Sequence, residues 1–169
     1  QTMVLEDNNA LIGIDCGASK VLIQSAKINP NRTIISKGRY CKEYVYSSHP
    51  DWDSSYQPTP IDIQIKENNN NSIIIGRAER RQGDIIVALL QDIIANISGS
   101  QIGICFPGIK DDNGVTILAN GPRIPDLLTK LNKVDKLYND SDCCITGELV
   151  SNIGKMNDIC NGVYIGGGT

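Results

Sequence analysis

Ile85, Ile86, Leu89, Leu90, Ile93, Ile94 and Ile97 recur at steps of three, four and one, the spacing that lines one face of an α-helix. The pattern predicts a helix that begins near Gly83 and stops at Gly99. An apolar stripe of that width must be buried against a flat partner, and the flanking segments supply one. Residues 10–15 and 20–28 are apolar runs separated by a small-residue turn at 16–19, which reads as a β-hairpin. Residues 33–37 read as a third strand after the turn Asn29-Pro30-Asn31. Past the helix, residues 101–106 read as a buried strand ending at Pro107-Gly108, and 115–118 as another short apolar run. A short helix at 126–133, a strand at 134–138, a helix at 141–152 and a last strand at 162–165 complete the pattern. Three strands, a helix, then alternating strands and helices predict an α/β layer with a mixed sheet.

The middle of the chain differs in kind. Residues 47–60 carry His49, Trp52, Tyr56 and three prolines and read as a long loop, with Trp52 and Tyr56 in contact or pinning the loop. Ile61-Asp62-Ile63-Gln64-Ile65 alternates and reads as a half-exposed strand, and Asn68–Asn71 as a loop tip. A length of 169 residues suits one compact domain. With 16 Lys+Arg against 19 Asp+Glu and no basic block, a nucleic-acid or anionic-membrane surface is not expected. A single His argues against a His-rich metal site or a His-based triad. No run approaches the roughly 18 apolar residues of a membrane span, and residues 1–9 lack the apolar core of a signal peptide. The cysteines Cys16, Cys41, Cys105, Cys143, Cys144 and Cys160 form no CxxC pair, so free thiols in a reducing, cytoplasmic setting are expected, with disulfides as the alternative.

Four segments could carry chemistry. Asp15-Cys16-Gly17-Ala18-Ser19-Lys20 joins a carboxylate to a turn whose backbone N–H groups could cradle phosphate. There Lys20 would add charge and Asp15 would hold Mg²⁺ through water, and Cys16 would be accessible. The same segment also reads as an ordinary hairpin turn. Gly166-Gly167-Gly168-Thr169 after a strand repeats the idea of a backbone open to an anion. In Tyr138-Asn139-Asp140-Ser141-Asp142, Asp140 reads as a general base beside a hydrogen-bonding Asn139, or else Asp140 or Ser141 caps the next helix. Phe106-Pro107-Gly108 and the stretch from Asn120 to Pro125 sit at strand ends, where α/β sheets bind ligands.

In order and spacing these segments resemble the amino-terminal half of the ROK family of sugar kinases, within the actin/hexokinase/Hsp70-like ATPase superfamily. Residues 11–20 are similar to the family's first phosphate motif, with Ala18 and Ser19 where Gly and Thr are commoner. Residues 102–108 are similar to its Pro-Gly sugar-side loop, and residues 137–142 with Thr146-Gly147-Glu148 to its Glu-Asn-Asp-Ala-Asn segment and later Gly-Glu. The stretch 120–126 is similar to its Asn-x-Pro-Asn-Leu-Pro-Gly, with Arg123 where an Asn usually meets sugar hydroxyls.

The resemblance implies an actin-like, ribonuclease-H-like domain that moves the γ-phosphoryl group of Mg-ATP to a hydroxyl of a sugar or amino sugar. Asp140 falls on its catalytic base. Asn139, Asn120, Gly108 and Glu148 fall on substrate contacts. Gly17, Ala18, Ser19, Lys20, Gly167, Gly168 and Thr169 fall on ATP phosphates, and Asp15 on Mg²⁺. Residues 1–161 would form the substrate-side lobe and 162–169 would enter a nucleotide-binding lobe carried by a second polypeptide or a longer parent chain. A homodimer is compatible with this reading, and neither nucleic acid nor membrane is an expected partner. The alternatives are another ATPase of the superfamily, such as an activator ATPase or an N-acetylglucosamine-type kinase, and a non-catalytic sugar-sensing or assembly module.

Overall fold

Alternation along β1 (Ala10–Cys16) buries Ile12, Ile14 and Cys16 on one face and turns Gly13 and Asp15 to the other. The structure is a computed structural model that describes residues 10–31, 34–97 and 101–165. β1 pairs antiparallel with β2 (Lys20–Ile28), whose Val21 and Ile23 join the same buried face, and β2 pairs antiparallel with β3 (Ile35–Val45). On its other side β1 pairs parallel with β4 (Gln101–Phe106). Beyond β4, in chain order, a small antiparallel pair forms from β5 (Ile109–Lys110) and β6 (Val115–Ile117). The last strand of the main sheet, β7 (Leu137–Asn139), pairs parallel with β4. The five-stranded sheet thus runs β3-β2-β1-β4-β7, a mixed α/β arrangement.

The third strand is longer than residues 33–37, and Thr33 lies outside the described residues. β3 is an edge strand rich in Lys, Arg and Glu, charges that blunt an edge against pairing with other chains. A bulge opposite Ser25 shifts its register. There the Gln24 amide donates to the carbonyls of Gly38 (3.0 Å) and Tyr40 (2.8 Å), and the Ser25 hydroxyl accepts the Tyr40 N–H at 3.0 Å. The polar groups that a bulge unpairs are therefore satisfied within the sheet.

Residues 61–65 are not a strand. α1 (Ile61–Asn69) begins directly after Pro60, and Gln64 is its buried residue while Ile61, Ile63 and Ile65 remain about two-fifths exposed, at 40%, 42% and 41%. The Gln64 amide donates to the Leu118 carbonyl (3.0 Å) and its oxygen accepts the Leu118 N–H (2.8 Å), clamping α1 to the chain after β6. α2 (Arg77–Ala95) starts six residues before Gly83. Its stripe of Ile86, Leu90, Ile93 and Ile94 packs on Ile12, Ile14, Ile23, Ile104 and Phe106 of the sheet. Each such side chain contributes about 1.5–3 kcal/mol relative to exposure, and this layer is the main core.

Two short helices finish the fold: α3 (Leu127–Lys130), shorter than expected, and α4 (Asp140–Val150), which follows β7 without a loop. Val134 is buried but precedes β7 rather than belonging to it. Beyond α4 the expected strand at 162–165 is not formed. Those residues have no regular structure, and Val163 and Ile165 are exposed. In the long loop, Trp52 stacks on the buried Tyr46 at 5.0 Å rather than on Tyr56.

Candidate active site

Parallel pairing decides which side chains meet at the carboxyl edge of the sheet. Asp15 is in register with Cys105, and Cys105 with Tyr138, so one row crosses β1, β4 and β7 on the face opposite the α2 core. The Cys105 thiol donates to Oδ1 of Asp15 at 3.1 Å. Burial first, and then this carboxylate, push the thiol well above its ordinary pKa, so Cys105 stays protonated and serves as the donor. Asp15 itself is exposed at the strand's end.

Past this row the chain turns sharply twice. Between β4 and β5, Gly108 adopts φ +83°, and a Cβ there would run into the Ile117 carbonyl oxygen, so Pro107-Gly108 is a turn that requires Gly. Between β7 and α4, Asn139 is the N-cap: its Oδ1 accepts the Ser141 N–H at 3.0 Å. Asp140 Oδ1 shares that donor at 2.8 Å. Neither Asp140 nor Ser141 is the cap residue, and Asn139 keeps its Nδ2 donors for another partner. Asp140, half-buried, thus sits one residue beyond β7, and Asp15 ends the strand on the far side of β4.

Lys110 also faces this edge. Its Nζ donates to the Gly108 carbonyl at 2.7 Å. Burial draws its pKa down, and the carboxylate of Asp140 leads the groups that oppose this. Its place two residues after the Pro-Gly turn is the one mark of it in the sequence.

The hairpin turn is more committed than its composition suggests. The Gly17 N–H closes the turn on the Lys20 carbonyl (2.9 Å), and the Gly17 carbonyl accepts from the Tyr46 hydroxyl (3.3 Å). Ala18 and Ser19 are exposed, and their N–H groups make no bond among the described residues. Lys20 places its Nζ 2.7 Å from Glu43 on β3. Cys16 is not accessible: its side chain points into the α2 core, 1% exposed, and burial raises its thiol pKa.

Other residues lie apart from the Asp15–Asp140 edge. Asn120 occupies an exposed turn after β6, without a bond to the group. Glu148 lies eight residues along α4 from Asp140, about 12 Å at the helical rise, and its carboxylate accepts the Lys155 N–H at 2.8 Å. Gly167, Gly168 and Thr169 lie outside the described residues. Arg123 is turned inward and fully buried. Its guanidinium bonds both oxygens of Glu79 (2.8 and 2.9 Å), the Glu67 carboxylate and the Ile74 carbonyl (3.0 Å). This ion-pair cluster joins α1, α2 and the loop after β6. Two clefts, of about 540 and 250 Å³, lie against the first half of α2 rather than at the strand ends.

Among the described residues no cluster of three or more His, Cys, Asp or Glu side chains could hold a metal ion. A lone exposed carboxylate such as Asp15 fits a Mg²⁺ ion that keeps most of its ligands as water and substrate phosphate. All six cysteines are free: Cys41, Cys144 and Cys160 exposed, Cys105 and Cys143 half-buried. Among the described residues no helix is long and apolar enough to cross a membrane. Comparison with protein-family models and with curated proteins returns no match to the chain.

Proposed function

We propose that the chain is the substrate-side part of an actin-like, ribonuclease-H-like sugar kinase, transferring the γ-phosphoryl group of ATP to a sugar or amino-sugar hydroxyl. The observation that carries this reading is the pair of carboxylates, Asp15 and Asp140, ending β1 and following β7 on either side of the Pro-Gly turn of β4. A sheet ordered β3-β2-β1-β4-β7, antiparallel through its first three strands and parallel through its last three, supports the fold assignment. In this reading Asp140 accepts the proton of the substrate hydroxyl and Asn139 hydrogen-bonds a neighbouring hydroxyl through Nδ2. Asp15 holds Mg²⁺ through water, and the N–H groups of Ala18 and Ser19 bind phosphate oxygens. A bound Mg²⁺ supplies charge neutralisation on the phosphates. Gly167, Gly168 and Thr169 would add a second phosphate turn, and a second lobe would close over the site and exclude water.

The pairing of Lys20 with Glu43 and the internal bond of Gly17 favour one other reading, a module that keeps the fold without catalysis. An ADP-release assay of the complete protein, the second lobe included, across a panel of sugars and amino sugars separates the two. Turnover that falls on the order of 10²–10⁴-fold in Asp140→Asn, with nucleotide affinity changed only a few-fold, is the expected result. Near-normal turnover in that variant would leave Asp140 as a helix-start residue and retire the base assignment.

A further inference from the structure

In-line transfer carries a phosphoryl group up to the oxygen from which Asp140 takes its proton, so negative charges converge beside Asp15, Asp140 and Asp142. Like charges brought so close repel strongly away from bulk water. Besides the metal ion, a cation of the chain would offset that charge. Lys20, the cation of the hairpin turn, is held by Glu43 at 2.7 Å on the β2–β3 side of the sheet.

Lys110 closes β5, four residues past the carboxyl end of β4. Its stem is half-buried and its Nζ is pinned 2.7 Å from the Gly108 carbonyl, inside the turn that positive φ at Gly108 makes rigid. The groups facing it are Asp140, Asp142 and Cys143 from α4 and Cys105 from β4. An ammonium has three donors, and the carbonyl uses one. No carboxylate lies within ion-pairing distance among the described residues, so two donors stay free in the field of the Asp140 carboxylate.

We propose that Lys110 is a catalytic residue that binds the transferring phosphoryl group and neutralises its charge. The proposal rests on the kinase reading. In the step it serves, the bond from the γ-phosphorus to the oxygen bridging to the β-phosphate breaks, and ADP leaves with that electron pair. The substrate oxygen forms the new bond to phosphorus and gives its proton to Asp140. Lys110 keeps its proton throughout and donates to a non-bridging phosphoryl oxygen.

The test compares Lys110→Met and Lys110→Arg with the parent in the complete protein, the second lobe included, after circular dichroism has confirmed folding. Two readouts are taken: sugar phosphorylation, and calorimetric affinity for inorganic phosphate in the presence of Mg²⁺. Lys110→Met should lower kcat by about 10²–10³, the usual cost of removing one charge-stabilising donor, while KM for ATP moves only a few-fold. It should also weaken phosphate binding at least about tenfold, since each tenfold corresponds to the loss of a single modest interaction. Lys110→Arg, which keeps the charge, should recover most of both. If the parent phosphorylates a sugar and Lys110→Met matches it in kcat and phosphate affinity, the Lys110 assignment falls and the kinase reading stands. If the parent transfers to no sugar, yet Lys110→Met abolishes phosphate binding, the kinase reading falls and the anion site stands. A parent that neither transfers nor binds phosphate overturns both.

Discussion

Arg123→Met tests the buried cluster that fastens α1 and α2 to the loop after β6. The substitution keeps an unbranched stem of similar reach and deletes the guanidinium. Both oxygens of Glu79, the Glu67 carboxylate, the Ile74 carbonyl and the Thr59 hydroxyl lose a guanidinium donor, while the backbone N–H at position 123 stays on Glu79 Oε1 at 3.0 Å. Glu79 is the costly one, because its side chain is 4% exposed and its charge would lose its cation, keeping the backbone N–H at position 123. Breaking a buried pair from one side costs about 3–5 kcal/mol, against about 5–15 kcal/mol for a whole domain. With a urea m-value near 2 kcal/mol/M, the midpoint should fall by about 2 M. Urea unfolding followed through Trp52, the sole tryptophan, and by far-UV circular dichroism measures the shift. Adding Glu79→Gln to Arg123→Met should restore part of the loss by removing the orphaned charge. The acid dependence gives a second check. The Arg123 hydrogen bond, ahead of other causes, holds the Glu67 carboxyl below its ordinary value of 4.5. That stabilisation is therefore complete above about pH 4.5 and is lost as the pH drops through the lower folded value, so Arg123→Met should flatten this part of the acid limb. A stability loss under about 1 kcal/mol, the worth of an exposed ion pair, would refute the argument that the cluster is a buried structural tie.

Gly108→Ala should destabilise by about 1–3 kcal/mol through strain at positive φ, read as a lowered thermal midpoint. Gln64→Leu should cost about 1–3 kcal/mol by leaving the Leu118 N–H and carbonyl without partners, measured by urea unfolding. In thiol titration without reductant, Cys41, Cys144 and Cys160 should react in the native protein. Cys16 should react only on unfolding, and rapid native labelling of Cys16 would contradict its place under α2.

Those elements whose apolar residues face the core were legible in the sequence. The stripe from Ile85 to Ile94 marks the inner face of α2, with Ile97 buried past its end at Ala95, and Ile12, Ile14, Ile104 and Phe106 mark the sheet it covers. Where polar side chains take the buried positions, the pattern misleads. Ile61, Ile63 and Ile65 alternate like a strand, yet Gln64 faces inward because its amide pairs with Leu118 from both sides. The first turns of α2 escaped notice for a related reason. Glu79 and Gln82 are buried there, Glu79 through Arg123 and Gln82 through an accepted bond from the Asp53 N–H at 3.3 Å. At the site, the positions of Asp15, Gly108 and Asp140 at turns were readable from strand ends. The Lys20–Glu43 ion pair was not readable, since its partners lie 23 residues apart.

The pairing of β1 with β4 has a kinetic consequence. Asp15 and Cys105 meet although 90 residues separate them, whereas β1, β2 and β3 pair with near neighbours. Joining distant segments requires closing a long loop before any contact compensates for the lost chain entropy. The contacts of the hairpin sheet therefore carry a smaller loop-closure cost than the β1–β4 pairing that brings Asp15 to the shared edge.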